Sequence, residues 1–263
     1  MDIGLRGKRA LVLGSSAGMG NGVARALASE GADIILTARR SDILKQEARL
    51  ISETFGTRVH WFACDLAKEG ELDDLINFSQ EKFGEIDIQF NNCGGPPRLL
   101  PSEAEDSIWR EWFEIIVLAA IKATTAALPG MKTAGWGRVL SMTSSNIYMA
   151  ATANLLSTSL RLTLVGRSKV LANEVAKERV SVNCLVPGRV ETERVREGDI
   201  SRARRAGVTP EEIKKKMIEE APMGRDGRVE EMANIALLLC SHQSSYITGS
   251  VIRGDGGRIP LNL

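Results

Sequence analysis

Apolar positions along this chain alternate between short continuous runs and longer stretches with helical spacing. The continuous runs fall at 10–13, 32–37, 59–63, 86–90, 138–142 and 180–186, with a last one near 250–252. Helical patterns separate them, at 23–28, 41–55, 71–83, 108–133, 155–177 and 230–240. A strand that is apolar at every position suits a sheet covered on both faces. Regular alternation with helices predicts parallel strands joined by crossovers. The expected fold class is α/β, a single-domain Rossmann-type doubly wound parallel sheet. Its ligand site should lie at the carboxyl ends of the strands.

The pattern changes between residues 189 and 228, which are highly charged and weakly apolar. Arg194, Arg196, Arg202, Arg204, Arg205 and the run Lys214-Lys215-Lys216 all fall there. An insertion after a late strand lies over the ligand crevice, so a mobile lid is one reading. For the lysine run, a solvated helix face is the plainer one. No repeat, low-complexity tract or linker marks a second domain, and 1–263 reads as one unit.

Composition narrows the function classes. Among 263 residues, 43% are hydrophobic and 25% charged, ordinary for a globular protein with a full core. A formal charge of +1 gives no global reason to expect nucleic acid or an anionic membrane as partner. Residues 1–7 lack a signal peptide's apolar core, and no apolar run reads as long enough to cross a bilayer, so a cytoplasmic location is expected. Cys64, Cys93, Cys184 and Cys240 are scattered without a C-x-x-C pair and read as free, buried thiols. His60 and His242 have no partner at metal-ligand spacing, and no metal site is expected.

The first apolar run ends in Gly14-Ser15-Ser16-Ala17-Gly18-Met19-Gly20, followed at once by a helix. A strand feeding a helix through glycines leaves backbone N–H groups at the positive end of the helix dipole, where phosphate binds. Gly14 can turn sharply, Gly18 admits a ligand to the backbone, and Gly20 lets helix and strand pack closely. Glycines needed for packing alone would produce the same spacing.

Together with Asp65, Asn91-Asn92-Cys93-Gly94, Ser144, Pro187-Gly188 with Thr192, Tyr246-Ile247-Thr248-Gly249 and Asp255-Gly256-Gly257, this turn resembles the short-chain dehydrogenase/reductase family over essentially the whole chain. Within it, the sequence is similar to the 3-oxoacyl-(acyl-carrier-protein) reductase branch. The resemblance implies that Gly14, Ser15, Ser16, Gly18, Met19 and Gly20 cradle a dinucleotide. Asp65 and Leu66 would contact its adenine, Asn91, Cys93 and Gly94 would line the ribose region, and Pro187, Gly188, Val190 and Thr192 would hold the nicotinamide end. Where NAD-specific members place a carboxylate after the second strand, this chain has Ala38 followed by Arg39 and Arg40. A guanidinium there pairs with a 2′-phosphate, so NADP(H) is favoured over NAD(H). Two surface arginines opening a helix are the alternative.

The same resemblance implies four catalytic positions, for serine, tyrosine, lysine and asparagine. Here they read Ser144, Ser157, Arg161 and Ile116. Arg161 can hold the ribose and keep positive charge near a developing oxyanion, but a guanidinium does not relay protons. Ser157 has no ionisation near neutral pH, and losing a positioned acid typically costs about 10²–10⁴ in rate. Ile116 removes a site for a relay water. Tyr148 is either a replacement proton donor or a loop aromatic lining the pocket.

These features imply an NADP(H)-dependent oxidoreductase acting on a 3-oxoacyl thioester or related carbonyl. An NADP(H)-binding protein with little turnover, a sensor or assembly partner, is the alternative, and hydration or isomerisation in the same cleft is a third. Basic residues between 189 and 216 could receive an acidic carrier protein by electrostatic steering. The helices at 108–133 and 155–177 resemble those through which family members pair, so a homo-oligomer, tetramer or dimer, is expected.

Overall fold

Seven strands pair side by side, all parallel, in the computed structural model, which describes residues 2–261. They are β1 (Arg9–Leu13), β2 (Asp33–Ala38), β3 (Val59–Ala63), β4 (Ile88–Asn91), β5 (Gly137–Met142), β6 (Val180–Pro187) and β7 (Val251–Gly254). Their order is β3-β2-β1-β4-β5-β6-β7. The helices are α1 (Gly18–Ser29), α2 (Ser41–Phe55), α3 (Glu71–Phe83), α4 (Asp106–Phe113), α5 (Ala119–Ala134), α6 (Leu155–Val175), α7 (Glu193–Ala206), α8 (Pro210–Glu219) and α9 (Val229–Cys240).

The central strands are buried on both faces, which is why they read as unbroken apolar runs. On one side, Val23 and Leu27 of α1, Leu44 and Ile51 of α2 and Leu239 of α9 close over Val12, Ile34 and Phe90. On the other, Leu75 of α3, Ala123 and Ala127 of α5 and Val175 of α6 close over Leu11, Ile35 and Val139. Each fully buried aliphatic side chain contributes about 1.5–3 kcal/mol, so the two layers make the sheet a rigid platform. The chain winds outward from β1 to β3, then returns to place β4 on the other flank of β1. That reversal opens a crevice at the carboxyl ends of β1 and β4, where open α/β sheets bind ligands.

Two expectations need correction. The helix at 108–133 is not uniform: Glu114–Leu118 forms a π-helical turn between α4 and α5. The widened turn directs Ile116 and Val117, each 1% exposed, into the same cluster with Leu156, Leu160 and Leu164 of α6. The resulting helical stretch, Asp106–Ala134, is 29 residues long and, by length and composition, apolar enough to cross a membrane, contrary to the sequence reading. In the fold its α5 half is a core helix, while α4 has no fully buried residue. Ala119, Ala123, Ala127 and Met131 pack beneath the sheet, and the π turn packs on α6.

The segment 189–228 folds into α7 and α8 and is closed at its base. Gly227 N donates to Arg189 O and Glu191 N donates to Gly227 O, both at 2.8 Å. Arg189 is buried there, bonded to Asp226 at 2.7 Å and also paired with Asp199. Arg189 is therefore spent inside the fold and is not available to steer an acidic partner.

Candidate active site

The glycine turn joins β1 to α1 with φ of +63° at Gly14 and +58° at Gly18, a region glycine enters without strain. A Cβ on Gly20 would overlap the Gly14 carbonyl oxygen. Ala17 caps α1 without a side-chain acceptor, and the first turn carries no acidic residue. Its N–H groups are therefore left for a ligand, and a phosphate fits their charge and direction. Ser16 and Met19 are partly exposed at this turn. Ser15 is different. It is wholly buried, its hydroxyl donates to Val12 O at 2.8 Å and accepts from Thr37 N at 2.9 Å, and its own N–H bonds Thr37 O. Ser15 staples the turn to β2, so its side chain holds the cradle in place.

Asn91 likewise serves the scaffold. Its amide donates to Thr124 Oγ1 and Ser141 Oγ and accepts from Gln89 Nε2, all buried between β4, β5 and α5. Asn92 Nδ2 donates to Gly14 O at 3.1 Å, tying the end of β4 to the glycine turn across the crevice. Cys93 and Gly94 follow at the lip, Cys93 half-buried and Gly94 exposed.

At the end of β2, Arg39 and Arg40 are exposed and make no ion pair among the described residues. Asp65 and Leu66 lie at the end of β3. Asp65 Oδ1 accepts from Ala67 N at 3.2 Å, and the Asp65 N–H donates to Glu71 Oε2 at 2.7 Å.

The hydroxyl centre follows β5. Ser144 Oγ accepts from Asn146 N at 3.2 Å, and Asn146 Nδ2 donates to Ser157 Oγ at 3.3 Å. Asn154 Nδ2 orients that amide by donating to Asn146 Oδ1 at 3.1 Å. Asn146 thus links the two serines, a role the sequence reading missed. Its only signal was its place two residues after Ser144. Arg161 stands one turn beyond Ser157 on α6, 6% exposed, with Nη1 donating to Met142 O at 2.7 Å and Nε without a partner. No carboxylate lies within ion-pair distance of it among the described residues. Ile116 faces Arg161, Cys93 and Met142 across a cavity of about 10 Å³, at the lower limit for a single water.

The charges of this centre are felt by its neighbours. Burial pushes the Cys93 thiol up, against the opposing pull of Arg161. Burial pushes the Arg194 guanidinium down, and Arg161 pushes it further the same way. A buried cation with no anion beside it is costly, and an anionic or oxyanionic ligand would relieve it. Tyr148 closes the small turn after Ser144, with its ring 5.7 Å from the Arg253 guanidinium carbon on β7. No hydrogen bond joins its hydroxyl to Ser144, Asn146 or Ser157.

After β6, Gly188 passes so close to Asp255 that a Cβ would lie 2.6 Å from its Cα. Val190 is buried and bridges to Gly227. Thr192 caps α7, and its methyl lies 3.6 Å from where a Cβ on Gly18 would be. The start of the 189–228 segment therefore stands over the glycine turn.

Comparison with known proteins agrees with this geometry. Residues 14–258 match the family model described as enoyl-(acyl carrier protein) reductase. The chain is 32% identical over 254 residues to D-beta-hydroxybutyrate dehydrogenase of Cupriavidus necator, covering 96% of this chain and 98% of that one. It is also 32% identical over 257 residues to 3-oxoacyl-(acyl-carrier-protein) reductase of Aquifex aeolicus, covering 98% and 99%. L-sorbose reductase of Gluconobacter frateurii, solved with NADPH and L-sorbose, superposes with a TM-score of 0.94 at 33% identity, over 99% of this chain and all of the other.

Proposed function

The chain belongs to the short-chain dehydrogenase/reductase family, and from that premise we propose an NADP(H)-dependent oxidoreductase that reduces a carbonyl, of the 3-oxoacyl thioester class or one related to it. The observation that carries the proposal is Arg161, a buried cation without a counter-ion beside the Ser144–Asn146–Ser157 hydroxyl centre and the crevice of the glycine turn. Relatives named for 3-oxoacyl and hydroxybutyrate chemistry, and a structural neighbour solved with NADPH, support the substrate class and the cofactor.

NADPH, when bound, supplies the hydride that becomes the C–H bond of the product alcohol. The uncapped first turn of α1 and the glycines hold its pyrophosphate. Arg39 and Arg40 hold its 2′-phosphate, which gives NADP(H) preference over NAD(H). Ser144 donates to the carbonyl oxygen and Arg161 supplies positive charge as that oxygen becomes an alkoxide. The alkoxide takes its proton from Ser157, whose oxygen Asn146 Nδ2 holds so that its O–H is free to donate, and solvent water returns a proton to that serine. A serine is a weak acid, so turnover is slow compared with a tyrosine-bearing relative. Tyr148 lines the mouth beside Arg253. The segment 189–228 closes over the bound substrate as a lid. Exposed Leu162 and Val170 on α6 and Phe113 on α4 favour pairing of copies through these helices. The four free thiols suit a cytoplasmic protein.

The test is stopped-flow oxidation of NADPH across 3-oxoacyl thioesters, aldehydes and quinones. Oxidation with the 3-oxoacyl members supports the proposal. Tight NADPH binding with no oxidation by any member replaces it with an NADP(H)-binding protein, the reading favoured by the absence of a titratable acid from the serine pair's hydrogen bonds.

A further inference from the structure

We propose that Arg98, Arg194, Arg202 and Arg205 form a clamp for a carboxylate or phosphate carried by the carbonyl substrate. The proposal rests on the carbonyl-reduction reading for the identity of that substrate, and on the following geometry for the clamp.

Arg194, Arg202 and Arg205 occupy one stripe of α7, eight and three residues apart, with Gly198 between the first two. With no side chain at Gly198, Arg202 can lie along the helix there, its Nη1 3.6 Å from where that side chain would begin. Arg194 reaches down to the loop after β4. Its Nη2 donates to Pro96 O at 3.0 Å, and its guanidinium lies 2.6 Å from where a Cβ on Gly95 would stand. Arg98 enters from that same loop, with its Nε buried and without a partner. The next residue, Leu99, bridges to Asn154, whose amide orients Asn146 and through it Ser157. One edge of the clamp therefore adjoins the hydroxyl centre, and the other, Arg194, adjoins Arg161 and Cys93.

The counter-ions are too few. Asp199 and Asp226 are consumed by Arg189, with Asp199 also bonded to Arg202 at 3.0 Å. Arg98, Arg194 and Arg205 have no ion pair among the described residues, and Arg194 is offset only by Glu197 and Cys93, neither of them in an ion pair with it. Arg98 is pushed down by its own burial, then by Arg202, Arg205 and Arg194. Arg98 and Arg202 are half-buried while Arg194 and Arg205 are exposed beside them. Positive charge gathered in this way is stabilised by an anion set between the groups, and the planar fork favours carboxylate or phosphate oxygens. The cofactor's 2′-phosphate does not answer this need. Arg39 and Arg40 follow β2, on one flank of β1, and Arg98 follows β4 on the other.

The decisive measurement is the ratio of kcat/KM for an anionic substrate to that for its neutral counterpart, with NADPH. Sodium 3-oxobutanoate against its methyl ester probes a carboxylate. The 3-oxobutanoyl thioester of 4′-phosphopantetheine against that of N-acetylcysteamine probes a phosphate. One pair should favour the anion at least tenfold in the wild type, and Arg98→Gln or Arg205→Gln should lower that ratio about tenfold, as loss of a charge-assisted hydrogen bond does. Arg98→Lys should restore part of it. Arg196→Gln, on the opposite face of α7 from Arg205 and paired with Glu191, should leave it unchanged.

Ratios within twofold of one for both pairs, or unchanged in the variants, overturn the clamp while leaving carbonyl reduction standing. A matching loss of NADPH affinity in Arg98→Gln reassigns the cluster to the cofactor and also overturns it. If no substrate is reduced, the function proposal fails and the clamp is read by thermal shift with sodium 3-hydroxybutanoate and its methyl ester. Stabilisation of the wild type by the acid alone, lost in Arg98→Gln, sustains the clamp. Equal shifts, or none, end it.

Discussion

Asn146 donates its side-chain N–H to Ser157 Oγ at 3.3 Å while its backbone N–H is held by Ser144 Oγ at 3.2 Å. One amide thus spaces and orients two hydroxyls from different elements, the turn after β5 and the first turns of α6. Asn146→Ala should release Ser157 and lower kcat by about tenfold, the scale of one neutral hydrogen bond at a reacting group. KM for NADPH should stay within twofold. A steady-state comparison decides, and an unchanged kcat removes Ser157 from the proton path.

Arg161 combines burial, one bond to Met142 O and an unpartnered Nε. Arg161→Met should lower kcat by about 10²–10³, as loss of an oxyanion-stabilising group does. Loss of the uncompensated buried charge should at the same time leave the protein as stable as before, or more so. Paired kinetics and urea unfolding separate the two effects.

The double variant Ser157→Tyr with Arg161→Lys supplies a phenol and an ammonium at the positions the family resemblance assigns to them. Turnover of a good substrate should rise, by up to about 10²–10⁴ if a missing general acid limits the rate. Activity only in the double variant would mark the natural chain as a binder.

Gly20→Ala would press a methyl group into the Gly14 carbonyl. The expected cost is about 1–3 kcal/mol of stability, the usual range for overpacking, with loss of NADPH binding as the turn deforms. Arg39→Ala should instead spare stability and weaken NADPH at least tenfold while leaving NADH within twofold. Fluorescence titration with both nucleotides checks the pair.

Burial pushes the thiols of Cys64 and Cys240 up to about 12 from an ordinary 9.0. Between these values the unfolded chain sheds protons that the folded chain keeps, so stability is full below pH 9 and falls as pH rises toward 12. The urea midpoint should drop between pH 7.5 and pH 10, and Cys64→Ala with Cys240→Ala should show a smaller drop. Equal drops would place the alkaline loss elsewhere.

Much of this architecture was legible because parallel strands buried on both faces must be apolar at every position, and glycines must stand where backbone meets backbone. The runs at 32–37 and 180–186 and the turn from Gly14 to Gly20 carry that requirement in residue type alone. Ser144, Ser157, Arg161 and Ile116 were singled out by the family resemblance alone, and their catalytic roles stand as proposals.

Tertiary structure decided what composition leaves free. A buried polar residue shows its role only through its partners, so Ser15 and Asn91 became scaffold and Asn92 and Asn146 became the ties. The π turn that aims Ile116 and Val117 together costs the sequence nothing visible, because one extra residue in a helical turn leaves the apolar pattern almost unchanged. In the sequence Arg194, Arg202 and Arg205 are part of a charged segment and Arg98 carries no signal; only the approach of α7 to the loop after β4 sets them against one another. Local pattern determines which elements form. Which charges lack a counter-ion depends on contacts between residues a hundred positions apart.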